Sequence, residues 1–112
     1  MVDRPIDAQR RGLDFANVAA SNPGLVYCVL SGYGEVGPWA GVTGHGQSLD
    51  ALAGLVDLEW RDGRPVTRQG WRSFGTSLAG IYAALGIMAA LYRRELEPGP
   101  QYVSTSIWEA GM

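Results

Sequence analysis

The chain has 112 residues, room for one domain at most, and a compact chain of this size buries only about two-thirds of the surface it exposes unfolded. Nine basic against eleven acidic residues give a formal charge of -2 with no block of like charge, which argues against nucleic acid and anionic membrane as partners. One cysteine and one histidine build neither a disulfide framework nor a metal cluster, so no metal is expected, and the 46% of apolar residues fall in runs that ask for partner surface.

The amino end, Met1-Val2-Asp3-Arg4-Pro5, holds no apolar signal region, so a reducing cytoplasm is expected. Residues 10–20 read as short helical pieces, with Asp14 placed to cap the second, and Ser21-Asn22-Pro23-Gly24 breaks that helix. Residues 25–31 are continuously apolar with β-branched and aromatic members, the pattern of a parallel strand covered on both faces; Cys28 inside it reads as a buried structural thiol. A glycine-rich loop, Gly32 to Pro38, follows at the carboxyl end of that strand, where open α/β sheets place ligands.

Residues 44–58 read as a helix on the spacing of Leu49, Leu52 and Val56, and residues 60–71, holding Arg61-Asp62-Gly63-Arg64-Pro65, as an exposed turn between two extended arms. A long helix from about Ser77 to Leu96 carries two stripes. Leu78, Ile81, Tyr82, Leu85, Met88 and Tyr92 are large, whereas Ala79, Ala83, Gly86 and Ala90 form a small-residue seam that another backbone can approach. Two packed faces require two neighbours. The uncharged stretch of residues 73–92 is short and glycine-containing for a membrane span, so a buried soluble helix is expected. Residues 101–106 alternate as a strand, and residues 107–112 break off as a further helix begins, so the chain reads as an interior piece of a larger α/β protein.

Alone, Ser31-Gly32-Tyr33-Gly34 is a weak signal, because a Gly-x-Gly after a strand often serves only a tight turn. It lacks the third glycine and the downstream acid of a dinucleotide fingerprint, so nicotinamide binding is not supported. Its neighbours change its value. Arg10-Arg11-Gly12-Leu13-Asp14, Asn22-Pro23-Gly24-Leu25-Val26-Tyr27, the loop with Gly37-Pro38, Gly44-His45, the run Ala79 to Ile87, and Gly99-Pro100-Gln101-Tyr102-Val103 occur in collinear order. Together they resemble the class III CoA-transferase family, which also holds carnitine-CoA transferases and α-methylacyl-CoA racemases.

That resemblance implies that residues 1–112 are a slice of a Rossmann-like large domain, without its opening strands and without the smaller second domain, from a protein that forms an interlocked homodimer. It also implies the ligands: coenzyme A, an acyl-CoA and a small carboxylic acid. The family moves CoA between carboxylic acids through an aspartyl-CoA thioester, or epimerises the carbon beside a thioester by proton abstraction. Arg10 stands where the family places an arginine on CoA phosphate, a task suited to the guanidinium fork; a solvated arginine on an exposed helix is the alternative. Gly32, Tyr33 and Gly34 would border CoA. His45 falls where the racemase branch supplies a general base, for which imidazole titrates in the right range. Gly46 follows it, where racemases carry an aspartate, and a packing or CoA-lining histidine stays open.

Thr76 is the decisive departure. An aspartate stands four residues before the glycine corresponding to Gly80 in the family, as transferase nucleophile or racemase acid/base partner. A threonine hydroxyl is a far weaker nucleophile at neutral pH and does not form the reactive mixed anhydride or thioester; Thr76 is expected to cap the long helix. Asp50 lies off the helical face of His45, and Asp57 and Glu59 border the Trp60 turn, so none is assigned catalysis. Trp39, Trp60, Trp71 and Trp108 read as core or interface residues, Trp39 being the one nearest the loop in sequence. Three readings remain: part of a CoA-transferase; the non-catalytic, degenerate half of a tandem protein; and a racemase-type epimerisation of a 2-methylacyl-CoA.

Overall fold

The computed structural model describes residues 5–67 and 72–112. After α1 (Pro5–Arg10), the Leu13 N–H turns back to the Ala8 carbonyl at 2.8 Å. Asp14 then caps α2 (Phe15–Ser21), accepting the Asn17 N–H at 3.2 Å, which supplies an acceptor to a donor the helix start would leave unpaired. Past the helix, the Asn22 side-chain amide donates to the Val18 carbonyl (3.0 Å), so the expected break at Asn22-Pro23-Gly24 is where the helix ends.

β1 (Val26–Ser31) pairs in parallel with β4 (Gln101–Ser106), from Val26 opposite Gln101 to Ser31 opposite Ser106. The expectation of parallel-type strands in an α/β fold therefore holds. Between the two strands the chain makes α3 (Gly46–Leu52), a hairpin of β2 (Leu58–Arg61) and β3 (Arg64–Thr67), and α4 (Phe74–Leu96); α5 (Ile107–Gly111) follows β4 directly.

α3 is shorter than the apolar spacing suggests. Gly54 takes a left-handed conformation (φ +75°) and the Leu55 N–H returns to the Asp50 carbonyl (2.9 Å), a glycine-closed helix end that turns residues 55–57 toward the hairpin. The hairpin turn, Asp62-Gly63, has positive φ at both residues (51° and 72°), the backbone twist a two-residue connection needs. The proposed second arm reaching Trp71 lies outside the described residues beyond Thr67.

α4 begins one turn before the expected Ser77, because Ser73 and Asp50 supply acceptors to its first N–H groups. Its two stripes separate as anticipated. Ala79, Ala83 and Ala90 are buried, and Gly86 lies so close to β4 that a Cβ there would meet Val103 Cγ1 at 2.6 Å. This seam packs against the sheet. The opposite stripe, Ile81, Tyr82, Leu85, Met88 and Tyr92, is more than half exposed. One of the two required neighbours is present in this chain. By length and apolar composition the helix would also fit a membrane span, but here it lies across a sheet.

At the far end of α4, the Arg94 guanidinium donates to the Gly24 carbonyl, fastening the last helical turns to the bend that enters β1. On the other face of the sheet Phe15 from α2 meets Tyr27 and Tyr102 edge-on at 5.8 and 5.1 Å, and these two tyrosines stack at 5.7 Å. Thus α4 packs on one face of the two parallel strands, and the Phe15 ring of α2 rests on the other.

Candidate functional site at the carboxyl edge of the parallel strands

Both parallel strands end at the same edge, β1 at Ser31 and β4 at Ser106. From β1 the chain enters the glycine loop, whose Gly34 N–H donates to the Ser31 hydroxyl (3.0 Å) and whose Gly34 and Gly37 take φ of 93°. L-residues rarely adopt that conformation, so these two glycines answer to backbone geometry. From β4 the chain turns into α5, and the Trp108 N–H donates to the Gly32 carbonyl at 3.1 Å. Tyr33, Trp39 and Trp108 form an aromatic cluster with ring separations of 5.2, 5.3 and 6.3 Å. Trp39 therefore does sit against the loop, and the Trp108 indole N–H is buried without a protein partner among the described residues.

The start of α3 closes on this loop. Gly44 is packed so tightly that a Cβ would lie 2.7 Å from Tyr33 Cε2 and 2.8 Å from Leu49 Cδ2. His45 is the residue before the first turn of α3, in extended conformation, and its backbone is tied to Ser48: the Ser48 hydroxyl donates to the His45 carbonyl at 2.7 Å. The side chain of His45 is exposed.

The start of α4 abuts the start of α3. A Cβ on Gly46 would stand 3.5 Å from Ser73 Cβ. Ser73, not Thr76, is the cap: its Oγ accepts the Thr76 N–H at 3.3 Å and lies 2.8 Å from the Thr76 hydroxyl. Thr76 falls one turn too far in, where its own backbone is already helical, so it receives the cap instead of making it. Asp50 has a role that reasoning from His45 alone missed. It is 1% exposed, and its two carboxylate oxygens accept the Phe74 and Gly75 N–H groups at 3.1 and 2.8 Å. A buried carboxylate meeting two helix-start donors is a cap supplied from another helix, reinforced by the positive end of the helix dipole.

Gly32, Tyr33, Gly34, His45 and Thr76 thus converge on one edge, through the Tyr33–Gly44 and Gly46–Ser73 contacts. Arg10 is elsewhere, exposed at the end of α1. A shallow cavity of about 310 Å³ lies on the α2 face of the sheet, lined by Ala8 of α1, by Phe15, Tyr27 and Tyr102, and by Glu35 of the glycine loop. The Tyr102 hydroxyl donates to the Glu35 carboxylate at 2.5 and 2.6 Å; burial first, then Glu35, pushes its ionisation well above the ordinary value of 10. Tyr102 therefore stays a proton donor to Glu35. The spacing of Glu35 and Tyr102, 67 residues apart in sequence, gave no hint of this pairing.

A parallel α/β layer with a glycine loop and two helix starts at its carboxyl edge is the arrangement in which open α/β sheets hold ligands. Residues 3–112 match the sequence profile of CoA-transferase family III, and the chain belongs to that family. It is 37% identical over 106 residues, 95% of its length, to succinyl-CoA–D-citramalate CoA-transferase of Chloroflexus aurantiacus, covering 26% of that protein. To acetyl-CoA:oxalate CoA-transferase of Acetobacter aceti it is 29% identical over 95% of its length and 27% of the relative's. Among solved structures, a CAIB/BAIF family protein from Brucella suis superposes with a TM-score of 0.79 at 27% identity, over 93% of this chain and 27% of that one. The chain spans about a quarter of the length of these proteins.

Proposed function

We propose that this chain borders coenzyme A within a protein that moves CoA between carboxylic acids, and that residues 1–112 are an interior slice of its large, Rossmann-like domain. The observation that carries this reading is the convergence of Gly32, Tyr33, Gly34, His45 and Thr76 on the carboxyl edge of β1 and β4, the edge where such sheets hold ligands. The relatives support the chemistry, since both CoA-transferases named above act, by their names, on acyl-CoA thioesters and carboxylic acids. In this reading Arg10 holds a CoA phosphate, the glycine loop lets the ligand approach the backbone closely, and His45 faces the acyl end. The complete protein is an interlocked homodimer of the cytoplasm.

Loss of CoA affinity in the complete protein on Arg10→Ala, by about tenfold as for one charge-assisted hydrogen bond, is the expected result of calorimetric titration. An unchanged affinity removes the CoA assignment from Arg10.

Thr76 favours a second reading, a degenerate half of a tandem protein whose intact copy does the chemistry. Its hydroxyl is engaged with Ser73 Oγ at 2.8 Å, and the neighbouring Asp50 carboxylate is buried in a cap. Among the described residues of these two helix starts, the one carboxylate, Asp50, is turned into the protein. Incubating the complete protein with an acyl-CoA donor and trapping with hydroxylamine distinguishes the readings: a modified carboxylate inside this segment overturns the degenerate one. Solvent exchange at the carbon beside the thioester, abolished by His45→Ala, is the signature that would mark the racemase-type alternative.

A further inference from the structure

We propose that Asp50 is a positioning residue for the acyl end of the site, acting through the first turn of α4 and touching no ligand; this rests on the CoA reading above. Three observations carry it. The carboxylate is 1% exposed and lies on α3, the helix that His45 begins. Each of its oxygens accepts an N–H of α4, from Phe74 and Gly75, immediately before Thr76. Gly75 leaves no slack, because a Cβ there would stand 2.7 Å from Asp50 Oδ1 and 2.9 Å from the Ile107 carbonyl oxygen.

Asp50 is therefore the polar tie between the two helix starts that carry His45 and Thr76. Ser73 caps α4 from within its own segment and sets the turn's conformation, but it does not set where that turn stands relative to α3. Asp50 does, since an acceptor five residues into α3 grips donors at the start of α4. The Ile107 carbonyl closes the turn from the α5 side, so α4 begins in a slot with a wall on each side. Displacing the slot by a fraction of an ångström moves Thr76 relative to His45 and leaves Arg10, on α1, where it is.

The test uses the complete protein and compares free CoA with acetyl-CoA by calorimetry, alongside hydrogen exchange of the 74–76 amides. Asp50→Asn keeps the volume but turns an amide NH2 toward one of the two N–H donors. It is expected to speed exchange at Phe74 to Thr76 and to weaken acetyl-CoA binding about tenfold, with free-CoA affinity retained. Gly75→Ala keeps the carboxylate but sets a methyl against Asp50 Oδ1 and the Ile107 carbonyl, which displaces the same turn, and it is expected to give the same split. Equal loss of both affinities with a lowered Tm means that Asp50 only stabilises the fold, and overturns the proposal; so does unchanged exchange together with unchanged acetyl-CoA affinity. If the wild type binds neither ligand, the CoA reading falls, and with it the positioning role for an acyl end, while exchange at residues 74–76 still reports the cap itself.

Discussion

The contact between Gly86 and Val103 makes the packing of α4 on the sheet testable to about 1 kcal/mol. A methyl added at Gly86 would sit 2.6 Å from Val103 Cγ1, whereas carbon atoms settle at about 3.5–4.0 Å, so helix and strand must part by about 1 Å or the valine must leave its rotamer. Neither is easy. Valine is stiff at χ1, and Val103 is held in register opposite Cys28 of β1. Overpacking of this kind costs about 1–3 kcal/mol, from which about 1 kcal/mol is recovered because alanine forms helix better than glycine. Gly86→Ala should therefore lose up to about 2 kcal/mol, read as faster hydrogen exchange of the β1–β4 ladder amides in the complete protein. Val103→Ala alone should also destabilise, by about 1–2 kcal/mol of lost burial. The two together should cost less than their sum by about 1 kcal/mol or more, because the shortened side chain vacates the space that the new methyl needs. Additivity within about 0.5 kcal/mol would refute the close approach.

The Asn17 side-chain amide, then its backbone N–H, hold the Asp14 carboxyl below its ordinary 3.8. A depressed value means that the cap contributes stability above pH 3.8, lost as pH falls through the lower folded-state value; an NMR midpoint at or above 3.8 contradicts it. Leu85→Glu, at a site 56% exposed in this chain, should raise the soluble fraction of the isolated 112-residue piece and lower the Tm of the complete protein, whose remaining polypeptide would cover that stripe; a neutral effect on Tm would mean the stripe stays bare. Thr76→Asp in the complete protein should fold normally, since Thr76 is exposed, and should introduce a hydroxylamine-sensitive acyl adduct at that position if the rest of the site is intact.

Much of the fold was legible because its signals are local. A run such as Val26 to Leu30 reads as a parallel strand from its composition, and the small-residue seam of α4 names the face that meets the sheet before the sheet is known. The boundaries were less legible, and each miss has a cause outside the segment itself. α3 stops at a glycine that periodicity counts as one more helical position, and α4 starts early because its donors are met by an aspartate 24 residues upstream. Apolar spacing locates the middle of a helix; polar partners at a distance decide where it starts.

The same distinction governs the site. Gly32, Tyr33, Gly34 and His45 were visible as motif residues, and their meeting at one edge follows from strand polarity: a loop that leaves β1 and a helix that begins after it share the carboxyl side. Asp50 carries no such signal, because its neighbour in sequence is His45 while its partners Phe74 and Gly75 lie on α4. Its discovery changes what Thr76 means. Had the first turn of α4 been loosely held, the absent carboxylate could be read as one loss among several in a decaying segment. Instead that turn is gripped by Asp50, capped by Ser73 and packed against Ile107, with a glycine kept where no side chain fits. Position 76 is thus held firmly, and the Thr76→Asp variant tests whether a carboxylate placed there reaches a thioester.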